Sequence, residues 1–180
     1  MPEVTQSDND VAVVGNELRY YDQRIDLSAV TAIKYGWVPI QLDMFTIGGR
    51  YLIELKTADH NLKMNFRYYL GLFAKRQSAN FQCMLEAVWD MTVVRLLSAM
   101  IDDIENQRTV IVGNCRVNGD GILLKNFLIH WDDLFYQRNY NKLTINSRSN
   151  AEIWTNLYYA ETDNVHVLVH FLEWKYGKSD

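Results

Sequence analysis

The chain has 180 residues, of which 48% are apolar, 13% aromatic and 22% charged. Disordered chains lack that much apolar surface, so one folded domain or two small ones packed together is expected. Eighteen Lys and Arg against twenty-two Asp and Glu leave a formal charge of −4, and the cations are dispersed. A general nucleic-acid binder needs clustered cations to neutralise phosphates, so nucleic acid is not an expected partner.

Met1 to Asp10 is polar and acidic. It reads as a flexible tail, with neither the basic start nor the apolar core of a secretory signal. The most apolar stretch, Met84 to Ile104, is interrupted by Glu86, Asp90, Arg95, Asp102 and Asp103, which a single lipid-facing span would not carry. The expected location is the cytoplasm. Cys83 and Cys115 belong to no CxxC or other ligand-spaced group, so two reduced, mostly buried thiols are expected there and structural zinc has no support.

In chain order, Val11 to Val14 and Leu18 to Tyr21 are short β-favouring runs separated by Gly15 and Asn16, a tight-turn pair. Ile25 to Tyr35 continues the strands. The stretch Gly36 to Gly49 holds Pro39 and the Gly48-Gly49 pair, after which Tyr51 to Thr57 and Leu62 to Arg67 alternate around the polar turn Ala58 to Asn61. Tyr51, Ile53 and Leu55 face one way and Glu54 and Lys56 the other, which describes a hairpin with one wet face.

From Ser78, a plausible N-cap, to Asn106 the residues are helix formers without Gly or Pro. One long helix is predicted, apolar over most of its circumference and therefore buried on more than one side. Strands resume at Thr109 to Gly113, Arg116 to Val117, Ile122 to Lys125, Phe127 to Gln137, Leu143 to Asn146, Ile153 to Glu161 and Val165 to Phe171. Gly119-Asp120-Gly121 and Thr162-Asp163-Asn164 supply hairpin turns, and Leu172 to Tyr176 closes the chain as one helical turn.

An offset of about 104 lays Leu18 on Ile122, Tyr20 on Leu124, Ile25 on Ile129, Leu27 on Trp131 and Val30 on Leu134. With a one-residue slip the match continues as Tyr51 on Trp154, Leu55 on Tyr158, and Leu62, Met64 and Phe66 on Val165, Val167 and Val169. The repeated unit is several strands followed by a helix. That order resembles the pleckstrin-homology-like superfold, a bent antiparallel sheet whose open end is plugged by a C-terminal helix. Gly121-Ile122-Leu123-Leu124 followed by Ile129-His130-Trp131-Asp132-Asp133-Leu134 is similar to the opening hairpin of GRAM-like members. Ile25-Asp26-Leu27-Ser28-Ala29-Val30 is its counterpart without the aromatic. In lipid-binding members of that superfold the first hairpin loop is rich in cations, whereas here it offers only Arg24 and Lys125. The resemblance therefore does not imply a specific phosphoinositide site.

Several groupings invite a chemical reading. His166 and His170 with Glu173 would sit on one helical face as zinc ligands; on the strand expected at Val165 to Phe171 the two rings stand about 13 Å apart, so no metal is expected. His130 beside Asp132 and Asp133 has the composition of a general base and its carboxylate, but no nucleophile motif completes it. The chain has no GxGxxG turn, phosphate loop, nucleophile elbow or HExxH helix, and Asn118-Gly119-Asp120-Gly121 lacks the acid spacing of a calcium loop. Lys56, Lys63 and Arg67, with Lys75 and Arg76 beyond, form a cationic face suited to an acidic partner or a lipid headgroup. Adjacent aromatic pairs such as Tyr20-Tyr21, Tyr68-Tyr69, Phe135-Tyr136 and Tyr158-Tyr159 must each send one ring outward, to be covered by the helix or a partner.

The reading is α+β: two tandem pleckstrin-homology-like bent sheets or partial barrels, residues 11–107 and 108–180, sharing the helix at about 78–106, with the second C-terminal helix truncated. The expected function is that of a non-catalytic intracellular interaction or adaptor protein without a cofactor. It would bind a protein or peptide, with Tyr136, Tyr159, Lys63, Arg67, His166 and His170 as contact residues. A masked basic partner fits the acidic charge. The alternatives are a membrane-surface lipid-binding module, which the sequence pI of about 5.5 disfavours, and a small hydrolase around His130 and Asp132. Because Asp180 follows soon after Phe171, the second barrel end is expected to lack its plug, which leaves a homodimer open.

Overall fold

A computed structural model describes residues 11–177; the expected acidic tail, Met1 to Asp10, lies outside them. The chain is α+β, and its described strands form four antiparallel sheets. Two compact units divide between Arg95 and Leu96, inside the helical stretch and not after it.

The first unit opens with a meander of β1 (Val11–Val14), β2 (Glu17–Tyr20) and β3 (Gln23–Asp26). Gly15, at φ +59, and Asn16 turn the chain as the sequence predicts. Asp26 caps a 3-10 turn, Leu27–Ala29, accepting from the Ser28 hydroxyl at 2.7 Å and its amide at 2.9 Å. Those two bonds hold its carboxyl below the usual range.

A second meander follows, β4 (Ala32–Leu42), β5 (Phe45–Lys56) and β6 (Asn61–Tyr69). Pro39 and Gly48-Gly49 all lie within strand, with the hairpin turn at Asp43-Met44 between them. Pro39 is tolerated because β4 is an edge strand of its sheet. Gly49 is required because the indole nitrogen of Trp37 and the hydroxyl of Tyr68, hydrogen-bonded to each other at 3.0 Å, occupy the space a Cβ would need. Ile33, Tyr35, Tyr51, Ile53, Leu55, Leu62, Met64 and Phe66 share one face, and all but half-buried Tyr51 are buried.

On that face lies α1 (Ala74–Trp89), whose Phe81 stacks on Tyr51 at 5.1 Å and meets Phe66 edge-on at 6.3 Å. It starts four residues before the expected Ser78 cap, after Phe73 in a left-handed conformation. A π turn, Asp90–Val94, then leads into α2 (Arg95–Glu105). The π turn accounts for the broad apolar circumference seen in the sequence. One inserted residue shifts the buried positions by one in the sequence, from the series Phe81, Met84, Leu85 and Val88 to Val93, Met100 and Ile104. Arg95, at the exit of the turn, donates to the carbonyl of Val30 and so ties the helix to the 3-10 turn.

The second unit contains β7 (Val110–Val112), β8 (Cys115–Val117), β9 (Gly121–Leu124) and β10 (Phe127–His130) in one meander. A turn then leads to a second meander, β11 (Leu134–Arg138), β12 (Lys142–Ser147) and β13 (Trp154–Tyr158). The strand expected at Val165 to Phe171 is instead the body of α3 (Val165–Tyr176). Its β-branched residues disfavour a helix only weakly, and burial overrides them. Val165, Val167, Leu168, Val169, Phe171 and Leu172 are buried, while His166, His170 and Glu173 form a partly exposed stripe at helical spacing. The second unit therefore ends in a helix of 12 residues, shorter than the 16 of α1.

At the offset of 104, β1, β2, β3 and the turn after them fall on β8, β9, β10 and residues 131–133, and the aligned Leu18 and Ile122, Ile25 and Ile129, Val30 and Leu134 are all buried. The continuation is corrected. Leu62, Met64 and Phe66 lie on a strand and Val165, Val167 and Val169 on a helix, so the last strand before each helix is β6 in one unit and β13 in the other. The β4–β5 hairpin has strands of 11 and 12 residues, where β11 and β12 have 5 and 6.

The helical assignment of α3 is testable at Leu168. On a strand it would share the outer face of His166 and His170; on the helix it is fully buried. Leu168→Asn is expected to cost about 3 kcal/mol by urea unfolding, and a loss within error of zero would restore the strand.

Candidate functional site

The first unit ends in an apolar tip. Leu42 is 63% exposed, Met44 92%, Phe45 73%, Leu70 80%, Leu72 63% and Phe73 68%. Leu42 and Phe45 pair across the Asp43-Met44 turn of the β4–β5 hairpin. Leu70 follows β6, and its amide donates to the Ile47 carbonyl at 2.7 Å, which brings the β6–α1 loop to the same end of the sheet. Monomeric proteins do not ordinarily gather large side chains at turn positions without a use for them.

The backbone supports this outward presentation. Asp43, Leu70 and Phe73 have φ of 52, 49 and 61, a region that costs a bulky residue about 1 kcal/mol or more. Leu70 and Phe73 meet that cost while remaining exposed, so side-chain packing does not repay it.

Beside the tip, on the sheet face away from α1, Arg50 and Arg67 stand directly opposite one another on β5 and β6. Like charges in that register repel, and neither has an acidic partner among the described residues. With Val38, Ile40 and Tyr69 they line an open hollow of about 260 Å³. Residues 39–50 and 67–76 together carry Arg50, Arg67, Lys75 and Arg76 against one acid, Asp43.

Further along the same face, Glu54 lies directly between Lys34 and Lys63 in the strand register, with ammonium groups at 3.3 and 3.6 Å. Asn61 donates to it at 3.0 Å and Lys56 approaches at 3.8 Å. Burial pushes this carboxyl up, but the Asn61 bond and the lysines outweigh burial and hold it below the usual range. The expected wet face is thus a buried carboxylate ringed by cations.

The six expected contact residues divide between the two units. Lys63 is engaged with Glu54, and Arg67 belongs to the arginine pair. The other four lie in the second unit. Tyr159 is buried, its ring stacked on His166 at 4.3 Å, and burial pushes its hydroxyl up; the outer member of that pair is Tyr158. Tyr136 is half-buried against Tyr176 at 6.1 Å. His170 meets Glu173 at 3.1 Å, and Glu173 also pairs with Arg138.

His130 and Asp132 are exposed at the end of β10 and in the following turn. Asp133 accepts from Ser147 at 2.5 Å and from the hydroxyl and amide of Ser149 at 3.0 and 2.8 Å. The Ser147 bond above all holds its carboxyl low, and the three together lock the 147–149 turn. Burial pushes the Cys115 thiol up to about 12, which makes it a poor nucleophile; Cys83 is half-buried, and both thiols are free. Among the described residues no three His, Cys, Asp or Glu side chains gather as metal ligands, and no helix is long and apolar enough to cross a membrane.

The apolar tip is not legible in the sequence alone, because its signal, Met-Phe and Leu-Gly-Leu-Phe at turns, is informative only once the turns are placed. No family model, curated protein or solved structure matches the chain.

Glu54→Gln is expected to lower stability at pH 7 by about 2 kcal/mol, since it leaves the lysines without their counter-charge. A carboxyl held low in the fold stabilises it fully above its ordinary value of 4.5 and loses that contribution as pH falls through the folded value. Urea unfolding of parent and variant should therefore converge near pH 2; a gap unchanged by pH would contradict the electrostatic account. For the thiols, a colorimetric thiol reagent is expected to react with Cys83 in the native protein and with Cys115 only in denaturant, and rapid native reaction of both would contradict the burial of Cys115.

Proposed function

We propose that the chain is a cytoplasmic, non-catalytic binding protein of two pleckstrin-homology-like units, and that it joins a larger assembly or surface through the apolar, cationic end of the first. The repeated order of two meanders and a helix supports the shared plan. The observation that carries the binding role is the longer hairpin: the first unit extends β4 and β5 well beyond the length that suffices for β11 and β12. That added length carries exposed Leu42, Met44 and Phe45. A fold of this plan closes without the extension, so its apolar side chains serve contact with something else.

The test is fractionation of a lysate of the source cell by sedimentation and gel filtration, with parent chain and a Met44→Ser, Phe45→Ser, Leu70→Ser variant. The parent is expected to travel with larger material and the variant to run as the free 21.1 kDa chain, with equal thermal melting of the two by circular dichroism. A parent that runs free in every fraction, or a variant that travels with it, overturns the proposal.

A further inference from the structure

We infer that the occupant of this end is an anionic lipid bilayer, into whose interface the two loop tips insert while the flanking cations meet lipid phosphates. The inference rests on the binding role proposed above and names its partner.

Three observations choose a membrane. The first is charge: residues 39–50 and 67–76 set four cations against one acid in a chain whose formal charge is −4, so this end is a local exception. The cytoplasmic leaflet of a membrane carries a negative surface potential that attracts such clusters. Arg50 and Arg67, held face to face with no acid among the described residues between them, gain most from an added anion, because it removes their repulsion.

The second is shape. The apolar side chains stand at the ends of a hairpin and a loop, with Met44 and Leu70 at least four-fifths exposed. The adjoining hollow, about 260 Å³ and open to solvent, is smaller than ordinary ligand pockets and offers no groove to seat a helix. Insertion into a bilayer needs no complementary relief, only apolar side chains that reach the acyl boundary with cations behind them.

The third concerns a second copy of the chain. A two-fold contact through this end would set Arg50, Arg67 and Lys75 of one copy near the same cations of the other, so self-association is opposed by charge.

Asp43 gives the inference an internal control. It is the one acid of the end, it sits in the turn beside Met44, and its φ of 52 suits asparagine. Asp43→Asn therefore keeps the turn and removes a charge that an anionic surface repels.

The experiment is flotation of the full chain with vesicles of phosphatidylcholine, with and without phosphatidylserine. Binding is expected to require phosphatidylserine and to weaken in high salt. It is expected to fall about tenfold or more both in Arg50→Gln, Arg67→Gln and in Met44→Ser, Phe45→Ser, Leu70→Ser, and to rise severalfold in Asp43→Asn. Melting temperatures within error of the parent confirm that each variant is folded. Failure to float with phosphatidylserine vesicles overturns the inference; if the lysate association still depends on the tip, the occupant is a protein and the binding role stands. Equal flotation with both vesicle types, or indifference to the arginine substitutions, also overturns it. If lysate association is absent as well, the binding role itself fails.

Discussion

Glu54 is the point on which the first unit's geometry turns. In the strand register it lies opposite Lys34 on one side and Lys63 on the other, so a shift of either neighbouring strand by one residue would break an ion pair. The same shift would send Ile33 of β4 or Leu62 of β6, both fully buried, to the wrong face. Charge on one face and apolar burial on the other thus select the same register. That register places Arg50 opposite Arg67 and Gly48 opposite Tyr69, and from there the hairpin tip and the β6–α1 loop emerge at one end. The repulsive arginine pair follows from a register fixed elsewhere, which is how an unfavourable pair persists.

The long helix and α3 show burial overruling local preference in different ways. Around Thr92 the backbone takes a π turn, with the threonine hydroxyl bonded to the Val88 carbonyl, and the buried positions slip by one residue in the sequence after it. A sequence read at a fixed 3.6-residue period sees only a helix apolar on most sides. In α3 the segment Val165-His166-Val167-Leu168-Val169-His170-Phe171 satisfies a period of two almost perfectly, yet His166, His170 and Glu173 also satisfy the helical period. Both patterns were in the sequence. The run lacked a polar residue on every second position, as expected of a segment buried nearly all round, and such segments are ambiguous by periodicity.

Legibility therefore followed how one-sided each element is. The hairpin of Tyr51 to Thr57 with Leu62 to Arg67 was readable because one face is apolar and the other charged, and the observed register pairs Ile53 with Met64 and Leu55 with Leu62. The α+β class was readable because buried positions such as Leu18, Ile25 and Val30 recur between recognisable turns. The full length of β4 and β5 was not. Pro39 and Gly48-Gly49 are breakers in isolation, and only the Trp37 and Tyr68 side chains over Gly49 make them the residues this strand pair needs. The cationic face was seen as Lys56, Lys63 and Arg67, but two of those three answer to Glu54, a pairing that depends on which residues stand opposite one another.

Each unit carries two meanders and then a helix, and the two differ at the turn between the first two strands of the second meander. In the second unit, β11 and β12 join through a short turn, Asn139 to Asn141, whose one large side chain is the exposed Tyr140. In the first, the matching connection is carried outward on a longer ladder and ends in Asp43-Met44-Phe45, while the loop after β6 holds Leu70 and Phe73 in left-handed conformations. Shortening that hairpin to the length of its counterpart would remove exposed apolar surface, and relaxing Leu70 and Phe73 would remove backbone strain. A protein selected for stability alone would take both changes. Their absence separates what the first unit needs in order to fold, which is the Glu54 register and the Phe81 contact, from what it presents, which is the tip.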